Sequence, residues 1–126
     1  MATSLTNDGW IDAANGDRAS FSGYAQSDAS RNESAQEHYR DHGPNVQLQM
    51  RSIEVLSVVC QDETQATIYG RATVDGSGPF NYRIIVKDLG EPAQGRDTYW
   101  LTLDSGYDSG EQVLQGGNVQ IKTKPR

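Results

Sequence analysis

The stretch from Ala66 to Val86 constrains the fold of this chain more than any other. Small and apolar residues occupy every second position on both sides of an acidic, glycine-rich segment, Asp75–Pro79. Such an alternation is typical of strands with one buried face, and the glycines and proline are typical of a turn between them. The stretch therefore predicts a long β-hairpin. Its expected buried face contains Ala66, Ile68, Gly70, Ala72, Val74, Phe80, Tyr82, Ile84 and Val86.

Strand signals also dominate most of the remaining chain. They are found at Ala19–Tyr24, Val46–Met50, Thr98–Leu103 and Val119–Ile121. After Met50 the apolar positions change phase, which predicts a β-bulge or a strand boundary, because a slip of one residue turns every side chain over. Seven or eight short strands between turn signals predict an all-β fold. We expect an antiparallel β-sandwich or flattened barrel of immunoglobulin-like size.

The polar segment Ser27–His42 has the weakest pattern in the chain. It is rich in Ser, Asp, Gln and Glu and has few apolar anchors, so we expect an exposed, mobile loop. The length of 126 residues suits one domain. We place this domain at residues 9–122, after an extended N-terminal segment at 1–8 and before a basic tail at 123–126.

Composition excludes several classes of function. A net charge of −6 argues against nucleic acid as a partner, and the absence of a long apolar run argues against membrane insertion. The single cysteine, Cys60, excludes a disulfide framework and multi-cysteine metal sites. The chain is acidic, rich in Gly, Ser and Asp and poor in Lys. Secreted bacterial β-proteins have this composition, so we expect an extracellular or cell-surface location, although no signal peptide precedes Trp10.

A set of short motifs indicates a family. They are Trp10-Ile11, Ala66-Thr67-Ile68-Tyr69-Gly70, Val74-Asp75-Gly76-Ser77-Gly78, Tyr82-Arg83-Ile84, Gly90-Glu91-Pro92, Asp97-Thr98-Tyr99, Gly106-Tyr107-Asp108-Ser109-Gly110 and Leu114-Gln115-Gly116-Gly117-Asn118-Val119-Gln120-Ile121. Over residues 9–122 the chain resembles a small all-β domain of secreted and cell-surface bacterial proteins. That domain stands alone or at the C-terminal end, after choice-of-anchor modules (the post-choice-of-anchor type). The resemblance implies a fold class and a location, and no catalytic or ligand residues.

Acidic residues around one loop are the candidate metal ligands. Asp88, Glu91 and Asp97 flank the loop after the hairpin, and calcium prefers six to eight oxygen ligands of this kind. The alternative is turn chemistry, in which aspartate accepts hydrogen bonds from nearby backbone. No EF-hand pattern is present, so we expect no cofactor, with calcium as the alternative.

Exposed aromatic residues and the N-terminal segment are the candidate interface. Trp100 is out of phase with Tyr99 and Leu101, so it faces the other side of its strand. The uncharged stretch Met1–Asn7 suits a strand donated to a neighbouring sheet, with Leu5 as its anchor. The predicted interface residues are Leu5, Trp10, Trp100 and Tyr107.

These features favour a non-enzymatic domain with a structural, adhesive or filament-forming role. Its expected partner is a second copy or another surface protein. A carbohydrate- or calcium-binding accessory module is the alternative. A small hydrolase is the second alternative, although the chain has no G-x-S-x-G nucleophile elbow.

Overall fold

The structure, a computed structural model, describes residues 2–27, 33–62, 64–89 and 97–124. These residues form one antiparallel sheet of nine strands in the order β8-β7-β6-β5-β4-β3-β2-β1-β9. The strands are β1 (Ala2–Asp12), β2 (Arg18–Ser27), β3 (Glu33–His42), β4 (Gln47–Asp62), β5 (Gln65–Val74), β6 (Ser77–Lys87), β7 (Thr98–Leu103), β8 (Gln112–Val113) and β9 (Gly116–Lys124). The described residues include no helix that is long and apolar enough to cross a membrane.

The sheet curls into a half-barrel. Each strand from β1 to β7 pairs with the next along the chain, and β9 returns to pair with β1. The two ends of the sheet therefore approach each other, and the Gln115 N–H donates to the Trp10 carbonyl at 2.9 Å. The all-β antiparallel prediction is confirmed, but one curled sheet takes the place of the expected sandwich of seven or eight strands.

The predicted hairpin is confirmed as β5 and β6. Asp75 and Gly76 form its two-residue turn with φ of 52° and 81°, the left-handed values that such turns require. Ile68 pairs with Ile84, and Gly70 pairs with Tyr82. A Cβ atom at Gly70 would lie 2.6 Å from the Tyr82 hydroxyl oxygen, so the glycine leaves the space that the tyrosine ring fills.

The predicted phase change is also confirmed, as bulges in β4. The register against β5 shifts between Ser52 and Glu54 and again between Val55 and Ser57. Ile53 and Leu56 are the residues left out of this register, and both are exposed. The bulges thus turn two apolar residues away from the core.

The loop predicted at Ser27–His42 is wrong where the structure describes it. Ser27 ends β2, and Glu33–His42 is β3, which pairs with both β2 and β4; residues 28–32 lie outside the described residues. The inward positions of β3 include Glu37, Tyr39 and Asp41, all buried. Acidic residues at buried positions hid the alternation that identifies a strand.

The N-terminal residues belong to the sheet. Residues 2–12 form β1, which pairs with β2 on one side and β9 on the other. The boundary that we predicted at residue 8 therefore falls inside a strand. The prediction that this segment is a free donor strand is wrong, because its backbone already pairs on both sides. Leu5 lies in the core with 1 % of its surface exposed.

Aromatic side chains join the two walls of the half-barrel. Tyr99 of β7 stacks on Phe21 of β2 with ring centroids 3.9 Å apart, and it lies 5.9 Å from Tyr39 of β3. Stacked rings add to the free energy gained by burying their area. Tyr99 faces inward and Trp100 does not, as the sequence predicted.

Candidate functional site

The outer face of strands β4 to β7 carries an aligned row of mainly apolar side chains. Val59 pairs with Thr67, Thr67 with Ile85, and Ile85 with Trp100. Facing pairs point to the same side of a sheet, so the four side chains form one row across four strands. We define the β4–β7 outer face as Val59, Tyr69, Ile85 and Trp100, together with Ile53 and Leu56 at the bulges.

Four of the six side chains of this face are unusually open to solvent. The exposed fractions are 56 % for Ile53, 48 % for Leu56, 41 % for Val59 and 42 % for Tyr69. Single exposed apolar residues are common, whereas a contiguous group marks an interaction surface. This face is therefore the candidate functional site.

Polar contacts fix Trp100 within this face. Its indole N–H donates to the Asp108 carboxylate at 2.7 Å, and the Arg83 guanidinium lies 5.3 Å from the ring centroid. One ion pair lies nearby, since the Arg71 guanidinium is 2.9 Å from the Glu54 carboxylate. Both ions of that pair are about half exposed, so the pair balances charge and adds little stability.

The structure does not bring the four predicted interface residues together. Leu5 is in the core, and the half-buried Tyr107 points its hydroxyl at two inward-facing side chains. Trp10 lies against Gly116, with the Arg18 guanidinium 4.1 Å from its ring centroid. Trp100 is the member of the set that belongs to the β4–β7 outer face.

Two of the three predicted calcium ligands bind the backbone of β9. The Asp97 carboxylate accepts from the Val119 N–H at 3.0 Å and from the Leu89 N–H at 2.8 Å. The Asp88 carboxylate accepts from the Ile121 N–H at 2.9 Å. Glu91 lies outside the described residues. Among the residues that the structure describes, no three His, Cys, Asp or Glu side chains are grouped closely enough to hold a metal ion.

A polar cluster that the sequence did not reveal lies inside the half-barrel. It consists of Asn7, Glu37, Tyr82 and Tyr99, all at most 3 % exposed. The Asn7 amide donates to one Glu37 carboxyl oxygen at 3.1 Å. Within the described part of the chain, one oxygen each of Asn7 and Glu37 and both tyrosine hydroxyls have no hydrogen-bond partner. Buried polar atoms without a partner are costly, so this cluster lowers the stability of the core.

Burial controls the protonation of this cluster. It raises the pKa of Glu37 well above its ordinary value, and the hydrogen bond from Asn7 opposes this only in part. Burial also raises the pKa of Tyr82 and of Tyr99, and the nearby Glu37 carboxyl adds to both shifts. The interior therefore favours neutral forms of all three side chains. The four side chains are closed off from solvent, so the cluster is part of the core.

A hydrogen-bonded network connects this interior to one end of the half-barrel. The Tyr39 and Tyr107 hydroxyl oxygens lie 2.6 Å apart, and Tyr107 donates to Asp41 at 3.0 Å. Burial acts to raise the pKa of the Asp17 carboxyl. Hydrogen bonds outweigh this effect and lower the pKa, and the largest contributions come from the Val46 and Asn45 N–H groups. These carboxylates accept backbone and side-chain hydrogen bonds, so they stabilise the fold.

No family model, no curated protein and no solved structure matches this chain. The resemblance to the post-choice-of-anchor type of domain stays a prediction. The proposed function therefore rests on the geometry of the β4–β7 outer face.

Proposed function

We propose that this chain is a non-catalytic domain that acts through protein contacts, in an extracellular or cell-surface setting. Its β4–β7 outer face packs against the same face of a second copy. The observation that carries this proposal is the aligned row from Val59 to Trp100, flanked by exposed Tyr69, Ile53 and Leu56. A sheet with one face in water normally carries polar residues there. The setting rests on the acidic, Gly- and Ser-rich composition.

The side chains of this face suit a protein partner better than a sugar. Aromatic rings stack on both, but exposed aliphatic side chains such as Ile53, Leu56 and Val59 gain free energy only when another apolar surface covers them. Aromatic residues with an arginine nearby are also typical of the centre of protein interfaces. Trp100 beside Arg83 is such a pair.

The charge distribution favours a second copy. Two chains of net charge −6 repel each other over most of their surfaces. On the β4–β7 outer face, Arg71 is paired with Glu54, and Arg83 lies near Trp100. The positive charge of Arg83 attracts a second copy of net charge −6, which opposes the general repulsion at this face. Two curled sheets that pack face to face form a two-layer sandwich between chains, the arrangement that the sequence predicted within one chain.

Two outward-facing tyrosines provide a matched test. Tyr69 lies in the β4–β7 outer face and is 42 % exposed, whereas Tyr24 lies on β2 and is 44 % exposed. We expect Tyr69→Ser to raise the dissociation constant of self-association at least tenfold, since a buried aromatic contributes about 2 kcal/mol to an interface. Tyr24→Ser should leave it unchanged. Sedimentation equilibrium over a range of protein concentrations measures both constants.

Two results would overturn this proposal. A wild-type chain that remains monomeric up to about 1 mM, a concentration that detects complexes of roughly −4 kcal/mol, has no self-association to explain. Equal weakening by Tyr69→Ser and Tyr24→Ser would place the interface elsewhere.

A further inference from the structure

A polar groove runs along β2 on the outer face of the first three strands, away from the β4–β7 outer face. Asp8 pairs with Ser22, and Ser22 pairs with His38. In the next row Ser20 pairs with Arg40. The small serines of β2 thus lie between longer side chains of β1 and β3. The resulting groove has a volume of about 230 Å³.

The size of the groove limits what it can hold. Pockets that enclose drug-sized ligands have volumes of about 300–1,000 Å³, and this groove is smaller. A water molecule takes up about 30 Å³ in the liquid. The groove therefore has room for several waters or for one ring-sized group.

The lining of the groove offers donors and acceptors on opposite sides. Asp8 on one side can only accept hydrogen bonds, and Arg40 on the other side can only donate them. Ser22, His38 and Gln49 can do both. The Ser20 hydroxyl lies 2.9 Å from a ring nitrogen of His42, which orients it.

This arrangement fits a ligand with many hydroxyl groups. A hydroxyl both donates and accepts, so one ring that carries several of them can bond to both sides of the groove at once. The opposite charges of Asp8 and Arg40 offset each other, so the lining favours neither an anion nor a cation, and an apolar ligand would leave its polar groups without partners. We propose that the groove binds a single pyranose ring of a neutral saccharide.

The test uses four methyl glycosides as probes, those of glucose, galactose, mannose and N-acetylglucosamine. Backbone amide NMR shifts of the full chain are followed during each titration. We expect at least one probe to shift amides of β1–β3 and to leave those of β7 unchanged. The dissociation constant should be about 1 mM, because a shallow one-ring site gains little free energy beyond the cost of association.

Two substitutions locate the site. Ser22→Leu fills the groove and should raise the dissociation constant at least tenfold, whereas Ser4→Leu places the same side chain at another exposed position of the sheet and should leave it unchanged. Arg40→Gln, at an exposed position, removes a charged donor without filling the groove and should weaken binding if Ser22→Leu does not fold.

Each remaining outcome counts against the proposal. The absence of shifts with all four glycosides at about 50 mM, far above the expected constant, would exclude a sugar site. Shifts produced by sodium acetate and not by the glycosides would assign the groove to anions. Binding that survives both Ser22→Leu and Arg40→Gln would place the sugar elsewhere.

Discussion

The β5–β6 hairpin and strand β3 lie in the same sheet but fill the interior with different chemistry. The buried positions of the hairpin are small, apolar or aromatic, as at Ile68 and Ile84, which pair directly. The buried positions of β3 include Glu37 and Asp41. Both regions pair with a neighbouring strand on each side, so backbone pairing alone does not decide what a strand may bury. The partners available to each buried group decide it.

The two halves of the interior therefore differ in what stabilises them. In the hairpin, the free energy comes from apolar area and close packing. Around β3 and along β9, it comes from carboxyl groups that accept hydrogen bonds, with the Tyr107 hydroxyl on Asp41 and with the Val119 N–H on Asp97. The comparison predicts different responses to substitution, to pH and to metal removal.

The largest effect is expected in the hairpin. Ile84 is fully buried opposite Ile68, so Ile84→Ala should lower the free energy of unfolding by about 2–5 kcal/mol through lost burial and a cavity. Urea denaturation of the variant and wild type measures the difference. Val113→Ala, at a position 41 % exposed and outside the β4–β7 outer face, is the control and should cost less than about 0.5 kcal/mol. A similar loss in both variants would contradict the assignment of the core.

The same contrast explains how much of the fold could be predicted from the sequence. The hairpin was predictable because its buried residues are small or apolar at every second position. The bulges of β4 were predictable from the shift of apolar phase after Met50, and the outward direction of Trp100 from its place between Tyr99 and Leu101. In these regions the alternation of inward and outward positions is visible in the sequence.

The rest could not be predicted because polarity and burial disagree there. Strand β3 reads as a polar loop, since Glu37 and Asp41 look exposed until their partners from distant strands are known. The partner of Glu37 is Asn7, thirty residues away. One signal was available: Ala35, Glu37, Tyr39 and Asp41 alternate with larger basic or amide side chains. The β4–β7 outer face could not be predicted either, because the register between four strands decides which of its residues are neighbours.

The acidic residues beside β9 should show the next largest effect. Asp97 is fully buried and its two carboxylate oxygens accept from the Leu89 and Val119 N–H groups. Asp97→Asn replaces one acceptor by a donor that faces a backbone N–H, so unfolding should be easier by about 1–3 kcal/mol. The control is Asp104→Asn, since Asp104 is exposed and accepts from the Asn81 amide. Equal stability of the two variants in thermal denaturation would show that Asp97 does not hold β9 in place.

The pH dependence of stability should also differ between the two regions, because β3 buries carboxyl groups and the hairpin does not. Burial raises the pKa of Glu37 in the folded state above its ordinary value of 4.5. Above that pH the unfolded chain loses this proton and the folded chain keeps it, so Glu37 makes folding less favourable as pH rises. Glu37→Gln removes this dependence. The free energy of unfolding of Glu37→Gln minus that of the wild type should therefore increase by up to about 1.4 kcal/mol per pH unit between pH 5 and the raised pKa.

Ile84→Ala serves as the control for that titration, because it changes no ionisable group. Its difference from wild type should stay constant over the same range of pH. A Glu37→Gln difference that is equally flat would mean that Glu37 is ionised in the folded protein, and the interior would then need a cation that pairs with it.

The smallest effect is expected on removing metal ions. Both Asp97 oxygens and one Asp88 oxygen already accept backbone N–H groups, so these carboxylates are held in place by the backbone and do not depend on a cation. A calcium ion at a hundred times its dissociation constant stabilises a protein by about 2.7 kcal/mol. For a domain of this size such a stabilisation raises the melting temperature by roughly 10 °C. We expect excess chelator, and then excess calcium, to change the melting temperature by less than about 1 °C. A shift of several degrees that Asp97→Asn abolishes would restore calcium as a ligand and make this acidic region a metal site instead of a support for β9.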